Sequence, residues 1–175
     1  MATETIKIAI LGSPNVGKFS LAASFLNLDM DKTKQVIIDE KFESRFTLQN
    51  GTVIKLILYI INDGGNKKSS INNAMKMTDG AILLFDITNR ETFKVVENYI
   101  EALDRNSPKF VKFNISIFGN KCDDEANRQV KDEEALEFAH KNGVEYGPIS
   151  ALKKINIPEA INALVEATHA KKHAN

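Results

Sequence analysis

The chain has 175 residues, enough for one domain with a full core, and 43% of it is apolar, an ordinary share for a globular protein. Lys plus Arg and Asp plus Glu both count 23, so no global charge directs it to nucleic acid or to an anionic membrane. Its one cysteine, Cys122, excludes an internal disulfide framework and suits a reducing compartment.

No apolar run approaches the roughly 18 residues of a membrane span. The first such run, residues 6–11, is not followed by the small-residue cleavage site of a signal peptide. The tail from Lys171 to Asn175 offers no cysteine for prenylation, so no membrane anchor is expected in this chain. The expected location is cytoplasmic, with any membrane contact peripheral, through partners or through residues beyond this chain.

In chain order, the β-branched run 6–11 predicts a strand that meets a turn at Gly12. Residues 17–28 follow as a helix, with Leu21, Phe25 and Leu28 on one face. The loop between them reads Gly12-x-x-x-x-Gly17-Lys18, a phosphate cradle. Glycines let the backbone wrap a phosphate, amides and a helix N-terminus supply partial positive charge, and the lysine supplies a full one. The amides of Asn15, Val16, Gly17, Lys18, Phe19 and Ser20 are expected to face phosphate whatever their side chains are. The next position of the motif should carry a hydroxyl for Mg²⁺, and Phe19 stands there. The phosphate-gripping half of the motif is present and the metal-holding half is not.

Residues 29–41 read as a polar connection, and 42–48 alternates as a half-buried strand. Asn50-Gly51 is a strong hairpin signal, so 52–61 should return antiparallel. Residues 62–70 are polar and predict a loose loop, and 71–77 a weak helix. Residues 81–85 form a buried strand ending at Asp86. A helix over 90–103 follows, with Thr88 as N-cap and Glu91 completing a capping box. Residues 113–118 give another strand, 132–141 a helix closed by Asn142-Gly143, and 144–146 a short strand. Pro158 opens the last helix, where its missing N–H costs nothing. This alternation predicts a single α/β domain over residues 1–175 with a mostly parallel sheet.

The strand at 113–118 runs into Asn120-Lys121-Cys122-Asp123, an N-K-x-D sequence at a strand's carboxyl end, where open α/β sheets place ligands. A buried carboxylate at Asp123 can accept two hydrogen bonds from guanine's N1–H and exocyclic amine. Adenine lacks that donor pair, a mismatch worth roughly 10⁴-fold. The Lys121 stem can lie over the base, Asn120 can tie this loop to the phosphate loop, and Ser150, Ala151 and Leu152 offer backbone amides to the guanine oxygen.

These residues together resemble the small GTPases of the Ras superfamily, and the Rab branch most closely, over nearly the whole chain. Asp79 to Thr88 is similar to the Rab stretch before the third helix, and Ile38 and Phe42 keep the ends of the Rab I-G-V-D-F pattern. Glu134 to Ala139, Gly143 to Tyr146 and Ser150-Ala151 are also family-like. The divergence is of the degree seen in some protozoan Rab proteins. The resemblance implies a P-loop G domain with a mostly parallel six-stranded sheet, one antiparallel strand and helices on both faces. It also implies GTP or GDP as ligand, effector or regulatory proteins as partners, and vesicle traffic as the process.

The departures from the family fall in one place. Phe19 replaces the Mg²⁺-binding hydroxyl, and Ile37 the switch threonine that is second Mg²⁺ ligand and γ-phosphate sensor. Ile60 replaces the aspartate of the D-T-A-G-Q motif, Asp63 its glycine and Gly64 its glutamine, which orients the attacking water. Ser20 does not substitute for Phe19, because one residue along a helix is a rotation of about 100°. Pro14 gives up an amide in the loop, Asn15 tolerates a left-handed backbone, and Met30 stands where the family often has an aromatic beside the base. The expectation is a Rab-like guanine-nucleotide-binding interaction module with little or no GTPase activity, no catalytic residue and Mg²⁺ weakly bound or absent. The alternatives are a slow GTPase switch and a nucleotide-free scaffold.

Overall fold

A computed structural model describes residues 2–28, 40–62 and 65–174. Met30, Ile37, Ile38, Asp63 and Gly64 lie outside the described residues. Six strands form one sheet in the order β2-β3-β1-β4-β5-β6. These are β1 (Thr5–Gly12), β2 (Lys41–Thr47), β3 (Val53–Ile60), β4 (Gly80–Asp86), β5 (Asn114–Asn120) and β6 (Glu145–Pro148). Every neighbouring pair is parallel except β2 with β3, the expected hairpin. The helices are α1 (Lys18–Phe25), α2 (Lys67–Met77), α3 (Arg90–Ala102), α4 (Asp132–Lys141) and α5 (Ile157–Lys172).

The period-two alternation of β1 divides the core. Ile6, Ile8 and Ile10 point to one face, where Leu21 and Ala22 of α1 and Ile161, Leu164 and Val165 of α5 cover them. Ala9 and Leu11 point to the other, against Ile71 and Met75 of α2 and Phe93, Val96 and Tyr99 of α3. β4, covered on both faces, is buried throughout its length. β2 is the edge: Lys41, Glu43 and Arg45 alternate outward, and Glu43 bridges Lys41 (2.5 Å) and Lys55 of β3 (2.6 Å). Those two lysines hold the Glu43 carboxyl down at about 2. Charge along an exposed edge discourages further strand pairing.

Helix ends show where local chemistry overrode pattern. α1 stops at Phe25 instead of continuing to Leu28. Asn27 turns left-handed (φ 53°), and the amides of Leu28 and Asn27 close on the carbonyls of Ala23 and Ser24 at 2.9 and 3.2 Å. α2 starts at Lys67, inside the stretch expected to be loop, because Asn66 Oδ1 caps it by accepting from the Ser69 amide at 3.0 Å. The α3 cap is Asn89, not Thr88. Asn89 Oδ1 accepts from Glu91 N, whereas the Thr88 hydroxyl turns back and donates to Asp86 at 2.6 Å. β5 and β6 each run two residues past their expected ends, carried by β5–β6 pairing as far as Gly119 with Pro148. The Asn142-Gly143 stop of α4 forms as expected, with Gly143 at φ 68° and the Val144 amide reaching the Ala139 carbonyl at 3.0 Å. Among the described residues no helix is long and apolar enough to cross a membrane.

Candidate nucleotide site

The carboxyl ends of β1, β4 and β5 meet at one edge of the sheet, and the sequence motifs lie there. The loop after β1 enters α1 through Gly17, left-handed at φ 98°. A Cβ at Gly17 would sit 2.5 Å from Asn120 Nδ2, so only glycine allows this approach. Asn15 is also left-handed, at φ 66°, a conformation asparagine accepts more readily than most residues. α1 has no capping side chain and no acid in its first turn, which leaves its N-terminus electropositive. Lys18 is buried, and its Nζ donates to the carbonyls of Gly12 (2.8 Å) and Ser13 (3.0 Å). The ammonium is thereby held inside the curve of the loop.

Asn120 joins the two halves of the site. Only 3% exposed, it donates from Nδ2 to the Val16 carbonyl at 2.8 Å and accepts at Oδ1 from the Ala151 amide at 3.0 Å. One amide side chain thus fixes the phosphate loop, the β5 end and the Ser150 loop together. Ser150, fully buried, donates its hydroxyl to Asp123 Oδ1 at 2.6 Å and accepts from the Lys153 amide at 3.0 Å. Lys121, left-handed at φ 68°, places Nζ 2.6 Å from Asp86 Oδ2. Burial pushes the Asp86 carboxyl up, but the Lys121 ammonium and the two Thr88 donors outweigh it and hold it below its usual value.

Around these groups lies a cavity of about 440 Å³. Asn15, Gly17, Ser20, Asn120, Lys121, Asp123, Ser150, Ala151 and Leu152 line it, and Val16, Lys18 and Phe19 do not. Ser24, Leu28, Asp124 and Lys154 complete the wall. Sequence reasoning missed these four. Ser24 was legible, since it lies one helical turn beyond Ser20 on the same face. Its hydroxyl is buried without a hydrogen-bond partner among the described residues.

Two details refine the base corner. Asp123 is exposed, not buried, and the Ser150 hydroxyl anchors one of its carboxylate oxygens. The amides of Ser150–Leu152 are not equivalent: Ser150 N donates to Ile155 O at 3.1 Å and Ala151 N to Asn120. Leu152, with its side chain 79% exposed, is the one whose amide has no acceptor among the described residues.

The metal side is built differently. The Phe19 ring packs edge-on against Phe42 of β2, centroids 5.5 Å apart at 65°, and joins the core beneath α1. Ile60 is buried in that same core, and Asn62 donates its side-chain amide to Glu40. Mg²⁺ demands oxygen ligands, and neither ring carbon nor an isoleucine methyl provides one. The described residues at these positions do not fit the ion.

The match to known families decides which fold family this is. Residues 7–170 match the Ras family. The chain belongs to that family. Its relatives place it with the Rab proteins: it is 28% identical to the Ras-related protein Rab-13 of Canis lupus familiaris over 90% of this chain and 77% of that protein. It is 29% identical to RABA4b of Arabidopsis thaliana, over 91% of this chain and 70% of that one. Rab-25 of Bos taurus is 28% identical over 94% and 76%. This Rab-like small GTPase thus combines family-typical loops at the base corner with an aromatic pair beside the phosphate loop.

Proposed function

We propose that residues 1–175 form a single G domain that holds GTP or GDP with little or no hydrolysis and serves as an interaction module for effector or regulatory proteins in vesicle traffic. The observation that carries this reading is the Phe19–Phe42 pair: the position for the metal-binding hydroxyl is spent on core packing. Meanwhile the Asn120 clamp holds the phosphate loop and base corner in register. In this reading the loop amides from Asn15 to Ser20, the α1 N-terminus and Lys18 hold the phosphates. Asp123 Oδ2 and the Leu152 amide read the guanine edge, with the Lys121 stem beneath the base. Family membership supports guanine nucleotide as the ligand class.

Hydrolysis needs an oriented water and stabilisation of charge on the γ-phosphate. No side chain at Phe19, Ile37 or Gly64 supplies either. The test is extraction and chromatography of nucleotide from purified protein, followed by single-turnover hydrolysis. Bound guanine nucleotide with no turnover supports the reading. Turnover at an ordinary Rab rate makes the chain a switch, and absence of nucleotide makes it a scaffold.

A further inference from the structure

At the opposite end of β1 from the phosphate loop, three side chains converge. Glu4 immediately precedes the strand, His169 lies in the last turn of α5, and His173 caps that helix. Spacing of four residues puts both imidazoles on one helix face, with ring centroids 4.7 Å apart. Their Nε2 atoms address different oxygens of one carboxylate: His169 lies 3.3 Å from Oε2 and His173 2.6 Å from Oε1. One ligand atom from each residue falls within 4.8 Å of the others.

We propose that Glu4, His169 and His173 form a binding site for a late first-row divalent ion, Zn²⁺ foremost, separate from the nucleotide site. Two imidazole nitrogens and one carboxylate oxygen are a zinc ligand set, with water completing a tetrahedron. Bonds of about 2.0–2.1 Å set the ligand atoms of such a tetrahedron roughly 3.3 Å apart. The His169–Glu4 separation already has that value, and the His173–Glu4 contact must open to reach it. His173, 55% exposed, gives the moving member freedom and the ion an entry path.

The Glu4 backbone is fixed. The Glu4 carbonyl accepts from the Lys55 amide at 2.8 Å, tying its backbone to β3. Of the lysines in the last turn of α5, Lys172 is engaged with Asp79 (3.1 Å) and the Thr5 carbonyl (3.0 Å), and Lys171 with the Phe113 carbonyl (2.8 Å). The ion takes the place of any proton on the ligating nitrogens, which leaves to solvent. Only a metal with strong nitrogen affinity makes that exchange favourable, so Mg²⁺ and Ca²⁺ should not bind here. The bound ion would clamp the first strand to the last helix. The eight residues of β1 put it roughly 26 Å from the phosphate loop, so nucleotide affinity should not respond.

The experiment is calorimetric titration of the untagged chain with Zn²⁺, with Co²⁺ as a spectroscopic substitute. One saturable site is expected, together with a raised melting temperature and the visible bands of tetrahedral Co²⁺. H173Q and E4Q should each lose tenfold or more in affinity while melting cooperatively without metal, and C122S should not differ from the native chain. H173Q changes a side chain more than half exposed, so it keeps the fold even if E4Q does not. Zn²⁺ binding that persists in the doubly substituted H169Q/H173Q chain, or that is lost in C122S, would overturn the proposal. So would the absence of a saturable site at submillimolar Zn²⁺, which would leave the cluster an ion-pair staple.

Discussion

The base corner and the phosphate loop's metal side stand at one edge of the sheet and are held by opposite physics. The base corner is a network of directed polar bonds in which Asn120, Ser150, Asp123 and the Lys121–Asp86 pair each have defined partners. The metal side is apolar packing, with Phe19 on Phe42 and Ile60 buried beside them. Polar networks lose function sharply when one member is removed, because its partners are left unsatisfied. Apolar packing loses stability in proportion to the contact removed and offers no ligand chemistry. The two halves should therefore respond differently to substitution.

The largest effect is expected at Asp123. Asp123→Asn sets a donor against guanine's donors and should abolish roughly 10⁴-fold preference for GTP over ATP, or abolish binding. Competition binding with both nucleotides checks it, and an unchanged preference would place the base elsewhere. Next is Lys18→Ala, which removes the one full positive charge in the loop. GDP affinity should fall by about two orders of magnitude, or about 3 kcal/mol, as read by nucleotide-displacement titration.

Asn120→Ala sharpens the comparison by orphaning the Val16 carbonyl and the Ala151 amide in a buried place. It should cost about 2 kcal/mol of stability, seen as a melting temperature lower by roughly 4–8 °C, and should weaken nucleotide binding as well. Phe19→Ser on the other half should cost a similar 1–3 kcal/mol through lost packing yet leave Mg²⁺ dependence unchanged. Native GDP affinity should drop less than tenfold on EDTA, under about 1.4 kcal/mol. Adding Ile37→Thr and Asp63→Gly to Phe19→Ser should restore metal dependence first. Turnover should not return before Gly64→Gln is added.

The smallest effect concerns acid. Asp86 titrates lower in the folded protein than in the unfolded chain. Its contribution is present above the unfolded carboxyl value of about 3.9 and is lost as pH falls toward the folded one. Asp86→Asn should therefore make stability fall less steeply below about pH 4 in urea titrations, with no comparable change in slope at neutral pH.

The sheet, its one antiparallel strand and the loops at its edge were legible because each rests on local chemistry. β-branched runs, a glycine loop with a lysine, Asn50-Gly51 and Asn142-Gly143 act within a few residues of themselves. Choices between adjacent polar residues were less legible. Thr88 and Asn89 are both good caps, and the Asp86 carboxylate decided between them by engaging the Thr88 hydroxyl. Asn66 began α2 within a stretch whose composition suggested loop, because one cap bond outweighed the polar average.

What the sequence determined by itself was the identity of the donors and acceptors and the absence of a hydroxyl at Phe19. The tertiary structure alone decided who bonds whom: that Asn120 takes the Ala151 amide, and that Asp123 faces solvent. It also decided that Phe19 finds Phe42, and that Glu4 meets two histidines 165 and 169 residues away. The physical reason is range. Propensity and turn chemistry act over a few residues, whereas these contacts exist only once the strands have fixed which distant segments share an edge of the sheet.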